Sequence, residues 1–215
     1  MLEIVDSIIK KHPSRAEFDQ VLGIMYPKHG SDYRFVTSAY DTAKELFRED
    51  LRQSGERYFE HLRRVFLIET LYLRVRDPEE LAAALLHDSL EDKKKKGWNQ
   101  DRIAAEFSKR TSIIVFGVSK EPLELFGGDE GRQNNNFYDK LRRCNDRAIF
   151  RPKLSDVLDN QMTMWAKSEA KQREKVWEAE HIYLPFAEEH NLLIHEIEEA
   201  IANTKKRWIK QKKAS

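Results

Sequence analysis

The stretch LAAALLHDSLED, residues 81–92, decides how the rest of the chain is read. Six small or aliphatic residues form a helical run with no polar face. His87 and Asp88 then stand side by side, and Glu91 and Asp92 follow one turn later. A helix that is apolar all round is a buried helix. Ending one with four ionisable groups costs several kcal/mol unless a metal, an ion-pair network or solvent receives them. Taken alone, the segment is as compatible with a charged helix end as with a metal or catalytic site.

Outward from this segment, 35% of residues are charged, Gly and Pro number only 8 and 6, and apolar residues recur at steps of three and four. This predicts an all-α protein with almost no strand signal. Helices are expected over 15–25, 31–48, 58–71, 78–87, 99–108, 111–118, 136–145, 148–165, 171–189 and 192–210. Turn-forming residues cluster at 26–30 and 119–135, and the second stretch has the length of a functional loop. The lysines at 93–96, followed by Gly97, read as a solvated turn or as a contact to an anionic substrate.

Two further residues belong with the His-Asp pair. His61 sits in YFEHLRRVFLIE, residues 58–69, where Tyr58, Leu62, Val65 and Phe66 mark the buried stripe and leave His61 at its edge. On its own, such a histidine reads as a boundary residue satisfied by neighbours. Asp156 is embedded among Leu154, Val157, Leu158 and Met162, where a carboxylate requires a cation. Two imidazoles and two carboxylates suit manganese, iron, zinc or magnesium, and suit calcium less because it prefers oxygen throughout.

The 215 residues allow one sizeable core, and the expected division is an N-terminal helical extension at 1–40, a main domain at 41–200 and a basic helix end at 201–215. With 38 Lys and Arg against 37 Asp and Glu, the charge is mixed and carries no global field toward nucleic acid. Lys205, Lys206, Arg207, Lys210, Lys212 and Lys213 read as a solvated helix end. The single cysteine, Cys144, excludes an internal disulfide and a Cys-rich zinc site, and is expected to be structural. No apolar run reaches the length of a membrane span, and the charged N-terminus is unlike a signal peptide. A soluble, cytoplasmic protein with no membrane partner is expected. Trp98, Trp165, Trp177 and Trp208 are expected at core or boundary positions.

The order His61, then His87 with Asp88, then Asp156 resembles the pattern of the HD phosphohydrolase superfamily. Further segments narrow the resemblance to the hydrolase domain of the RelA/SpoT-type alarmone enzymes, including small stand-alone forms such as the metazoan SpoT homologues. RQSGERYFEH (52–61) is similar to R-K-x-G-x-x-Y-x-x-H, and AAALLHDSLED (82–92) to A-A-L-L-H-D-x-x-E-D. FGVSK (116–120) is similar to V-x-x-V-T-K and NNFYDKLRR (135–143) to E-N-F-R-K-M. KLSDVLDNQMT (153–163) is similar to K-L-A-D-R-L-H-N-M-R-T, and IYLPFAEEHN (182–191) to I-Y-x-P-L-A-x-x-L-G. The agreement runs in order from about residue 40 to residue 195.

The resemblance implies an HD-domain helical bundle holding one divalent metal, Mn2+ first among the choices, on His61, His87, Asp88 and Asp156. It implies Glu91 and Asp92 as the groups that activate water and move its proton. Arg52, with Lys153, would meet phosphate; Asn160 and Thr163 would face the nucleoside; Tyr183 would lie near ribose or base, or simply pack in the core. The implied substrate is a small nucleotide, guanosine tetra- or pentaphosphate, losing its 3′-pyrophosphate. Four departures fall on the substrate side: Gln53 and Met162 replace basic residues, Asp159 replaces a histidine, and Lys93 to Lys96 replace an acidic, threonine-rich turn. They keep two alternatives open, a phosphatase acting on another nucleotide such as NADPH and a nucleotide-sensing module without turnover. An HD-type nuclease would need aromatic stacking platforms that the sequence does not offer. The sequence leaves the oligomeric state undetermined.

Overall fold

The computed structural model describes residues 1–214, with side chains through Ile209. Ser215 and the side chains of Lys210, Lys212 and Lys213, assigned above to a solvated helix end, lie outside the described residues. In chain order the helices are α1 (Leu2–Lys11), α2 (Arg15–Met25), α3 (Ser31–Leu46), α4 (Tyr58–Leu67), α5 (Pro78–Leu86), α6 (Ser89–Asp92) and α7 (Gln100–Glu106). They continue with α8 (Lys109–Val118), α9 (Glu130–Arg143), α10 (Arg147–Met162), α11 (Glu169–Glu178), α12 (Leu184–His190) and α13 (Ile194–Ala214). Among the described residues no β-strand forms; one isolated bridge, Leu51 to Arg57, closes the turn before α4. No described helix is long and apolar enough to cross a membrane.

Helix α5 is the centre of the packing. Asp77 caps it by accepting the Glu79 N–H, and Pro78 sits in the first turn, where a missing N–H costs nothing. Every residue from Glu80 to Leu86 is buried, and α3, α4, α8 and α10 pack around it. The alanines let these neighbours come close. A similar close approach occurs at Gly117 on α8, where a Cβ would stand 2.6 Å from Ile149 Cδ1 on α10. Val5 of α1 and Phe18, Val21 and Leu22 of α2 join the same buried cluster as α4 and α5.

Several expectations change in detail. Helix α1 forms in a segment for which no separate helix was expected, burying Val5 with Leu2, Ile8 and Ile9 against the core. Helix α9 starts at Glu130 and not at 136, because Asp129 caps it by accepting the Arg132 N–H. The expected helices 58–71 and 171–189 pass into π turns at Ile68–Tyr72 and Ala179–Tyr183. Hydrophobic spacing does not register one extra residue in a turn. Trp165 and Trp177 are 61% and 55% exposed, contrary to the core or boundary placement; Trp165 lies in the 3-10 turn after α10, and Trp177 stacks on His181. Trp98 is buried and Trp208 packs against the core. Of the lysine run only Lys94 to Lys96 are solvated. Lys93 is buried, paired with Asp50 and placed over the Phe47 ring.

Candidate metal centre

Three helices that are distant in sequence deliver the four expected ligands to one point. His61 lies on α4, His87 and Asp88 close α5, and Asp156 lies on α10. Asp88 adopts φ −90° and ψ 0°, a sparsely populated backbone conformation common at active sites, and this bend separates α5 from α6. His61 Nε2 is 3.5 Å from Asp88 Oδ2 and 3.2 Å from Asp156 Oδ1. His87 Nε2 is 3.0 Å from Asp88 Oδ2 and 3.8 Å from Asp156 Oδ1. His61, His87 and Asp88 have ligand atoms mutually within 4.8 Å.

The outer nitrogens fix which atoms face inward. His61 Nδ1 is 2.7 Å from Asp159 Oδ2, and His87 Nδ1 is 2.8 Å from the Ala84 carbonyl. With a proton on each Nδ1, both Nε2 lone pairs point to the centre. His87 Nε2 is buried without a hydrogen-bond partner. Two lone pairs and two carboxylate oxygens facing one another repel unless a cation lies among them, so the donor set fits a divalent metal. The same excess of negative charge acts on the titrations. Burial opposes a charged imidazole, but hydrogen bonds to Asp156, Asp159 and Asp88 outweigh it and push His61 up to about 10, so Nε2 is a position that a proton and a metal would compete for. Asp156 is held far below the carboxylate range, burial being overcome by Lys153 and the two histidines.

Asp159 was not expected among the working residues. It is fully buried and accepts from His61, from Arg52 Nη1 at 2.9 Å and from Arg64 Nε at 2.5 Å. Arg64 is also held by Glu56. The reasoning that singled out Asp156 applied to Asp159 too, since it lies one helical turn on among Val157 and Leu158. Tyr58, read only as part of a buried stripe and a motif, donates its hydroxyl to Asp88 Oδ2 at 2.9 Å.

The residues expected to meet substrate are partly turned inward. Lys153 Nζ donates to Asp156 Oδ2 at 3.0 Å; Asn160 Nδ2 donates to Asp156 Oδ1 and its Oδ1 accepts from Arg52 Nη2 at 2.8 Å. Thr163 donates its hydroxyl to the Asp159 carbonyl. Glu91 opens to solvent at the cleft, and its Oε1 accepts the Lys120 N–H at 2.6 Å. Desolvation by the surrounding protein raises its pKa, with Asp88 adding to the rise and Lys153 opposing it. Asp92 is exposed beside it and does not line the cleft.

The cleft has two lobes, of about 260 and 180 Å³, that share Tyr58, His61, Asn160 and Lys167. Together they are in the size range of a small-molecule site. One holds Arg52, Gln53, Thr163 and Lys171; the other holds Asp88, Glu91, Lys120, Lys153, Asp156, Lys175 and Tyr183. Of the 119–135 segment only Lys120 lines the cleft, and its last residues belong to α9, whereas Cys144 lies apart at the end of α9 with its thiol pKa raised by burial.

The family profile described as an HD domain matches residues 39–192. The guanosine-3′,5′-bis(diphosphate) 3′-pyrophosphohydrolase of Aquifex aeolicus (strain VF5) is 33% identical over 162 residues, covering 75% of this chain and 22% of that protein. The bifunctional (p)ppGpp synthase/hydrolase SpoT of Escherichia coli (strain K12) is 32% identical over 163 residues, again 75% and 22%. A GTP pyrophosphokinase of Streptomyces antibioticus is 32% identical over 159 residues, 73% and 18%. The chain thus spans about a fifth of the length of these relatives. A solved structure described as "A metazoan ortholog of SpoT hydrolyzes ppGpp and plays a role in starvation responses" matches with a TM-score of 0.69 and 17% identity, covering 83% of this chain and 97% of that one. At that identity the likeness is one of fold.

Proposed function

Because the chain belongs to the HD domain family, we propose that it is a metal-dependent phosphohydrolase that removes the 3′-pyrophosphate from guanosine tetra- or pentaphosphate, with residues 41–200 as its catalytic domain. The observation that carries this reading is the convergence of His61, His87, Asp88 and Asp156 with both Nε2 atoms turned inward toward the two carboxylates. The Aquifex aeolicus 3′-pyrophosphohydrolase and the Escherichia coli synthase/hydrolase SpoT, each about a third identical to this chain, support the substrate.

His61, His87, Asp88 and Asp156 would hold the ion, which we assign as Mn2+. When bound, such an ion supplies Lewis acidity and a water of lowered pKa. Asp159 keeps the His61 proton on Nδ1, and the Tyr58 hydroxyl orients Asp88. Glu91, with Oε1 anchored by the Lys120 amide, offers Oε2 to take the proton of the attacking water. Asp92, exposed beside it, passes that proton to solvent. The water oxygen bonds to phosphorus, the bond to the ribose 3′-oxygen breaks, that oxygen takes up a proton, and pyrophosphate leaves. Lys153 lies beside the reacting phosphoryl group, with Arg52, Asn160, Thr163 and Tyr183 along the nucleotide. A free nucleotide substrate implies a cytoplasmic enzyme.

Release of pyrophosphate and phosphate from ppGpp, pppGpp, NADPH and common nucleotides, measured with manganese for the native chain and Asp88→Ala, tests the reading. We expect pyrophosphate from the guanosine substrates and its loss in Asp88→Ala. Gln53 lines the cleft where the resemblance implies a basic residue, whereas Met162 lies outside it beside α1 and α13, so phosphate release from NADPH instead would keep the chemistry and replace the substrate. Metal binding with no turnover of any nucleotide would leave a sensing module.

A further inference from the structure

The cations lining the cleft differ in how they are already engaged. Lys153 is bonded to Asp156, Lys171 to Glu174, Lys175 to Glu178, and Arg52 to Asp159. Lys120 donates its ammonium to Asn134. Among the described lining residues, Lys167 is the one cation whose charged group has neither a hydrogen bond nor an ion pair, and it lines both lobes where they meet. Its backbone is fixed on both sides: its N–H bonds to the Met164 carbonyl and its own carbonyl accepts Gln172 Nε2 at 2.7 Å. The side chain is half-buried and close to the like charges of Arg52 and Lys175, and desolvation followed by those charges pushes its pKa down. An anion entering between these groups would relieve that repulsion. The cation beside the metal centre is Lys153, through its bond to Asp156, and Lys167 makes no bond to any of the four ligands.

Resting on the phosphohydrolase reading above, we propose that Lys167 determines specificity by binding a phosphate group of the substrate other than the one attacked, so that the enzyme selects nucleotides phosphorylated at two positions. Lys167 is free to do this because its ammonium has no protein partner to give up. A charge-assisted contact to phosphate made equally in the ground and transition states lowers KM and leaves kcat unchanged.

The test compares the native enzyme, Lys167→Met and Lys167→Arg, all with manganese, on ppGpp and on guanosine 3′-diphosphate, which lacks the 5′ phosphates. Lys167→Met is expected to raise KM for ppGpp by about tenfold or more at little change in kcat, and to leave guanosine 3′-diphosphate unaffected. Lys167→Arg should restore most of the loss, and manganese affinity should be the same in all three proteins. Equal effects of Lys167→Met on both nucleotides, or none on either, would overturn the assignment. Should the native enzyme hydrolyse neither nucleotide, the phosphohydrolase reading fails by itself. Calorimetric binding of the two nucleotides to native and Lys167→Met protein then decides for Lys167: a loss confined to ppGpp supports the proposal, and equal affinities refute it.

Discussion

Asp159 shows how much a single residue outside the ligand set can govern. It is buried between two guanidinium groups and the outer nitrogen of His61, and its own pKa lies far below the carboxylate range because Arg64 and His61 outweigh the cost of burial. Its effect on metal is therefore indirect, through the tautomer and orientation of His61. Asp159→Asn should weaken manganese binding by about 10- to 100-fold in a calorimetric titration, whereas Asp159→Ala should also unfold at lower urea because Arg52 and Arg64 lose their shared partner. Native manganese affinity in folded Asp159→Asn would remove the positioning role. The sequence singled out His61, His87, Asp88 and Asp156, and the fold brings these four together. It gave no sign that Arg52, Lys153 and Asn160 would turn their polar atoms onto neighbouring carboxylates and onto one another, because those partners are set by packing between α4 and α10 and by the turn before α4.

Between helices, a second charged cluster joins the elements that carry the ligands. Glu69 follows α4, Glu80 lies on α5 and Arg151 on α10; both glutamates are fully buried, and Arg151 Nη2 donates to Glu80 Oε2 at 2.6 Å. Burial pushes Glu80 up to about 7 despite Arg151, and burial together with Glu80 holds Glu69 well above the carboxylate range. A carboxyl whose pKa is higher folded than unfolded binds more protons in the native state. Its contribution is therefore fully present below the ordinary value of 4.5 and is lost as pH rises through about 7. Glu80→Gln should accordingly flatten the fall in urea midpoint between pH 5 and pH 8 relative to the native chain. Parallel pH profiles for the two proteins would contradict this. Neither glutamate stood out in the sequence, since Glu80 falls in the first turn of α5, where an acidic residue is expected at the surface.

Over the whole molecule, the metal centre joins α4, the end of α5 and α10, so an ion bound there opposes their separation. A site made only in the folded chain stabilises it by about 2.7 kcal/mol when free metal is 100 times Kd. Manganese should then raise Tm by roughly 5–10 °C over protein treated with chelator, and Asp88→Ala should lose that difference. A Tm independent of manganese would mean that the four side chains do not bind it. The sequence by itself determined that the chain is helical, that α5 is buried, and which four residues could hold a metal. The first two follow from local spacing, which can be read along one segment at a time, and the third from the order of His61, His87 with Asp88, and Asp156, which resembles the HD pattern. The tertiary structure alone decided that Asp159 and Arg64 stand behind His61, that Trp165 and Trp177 face solvent, and that Lys167 lies unpaired between two lobes. Each depends on which side chains of distant helices meet, and helical periodicity holds no information about that.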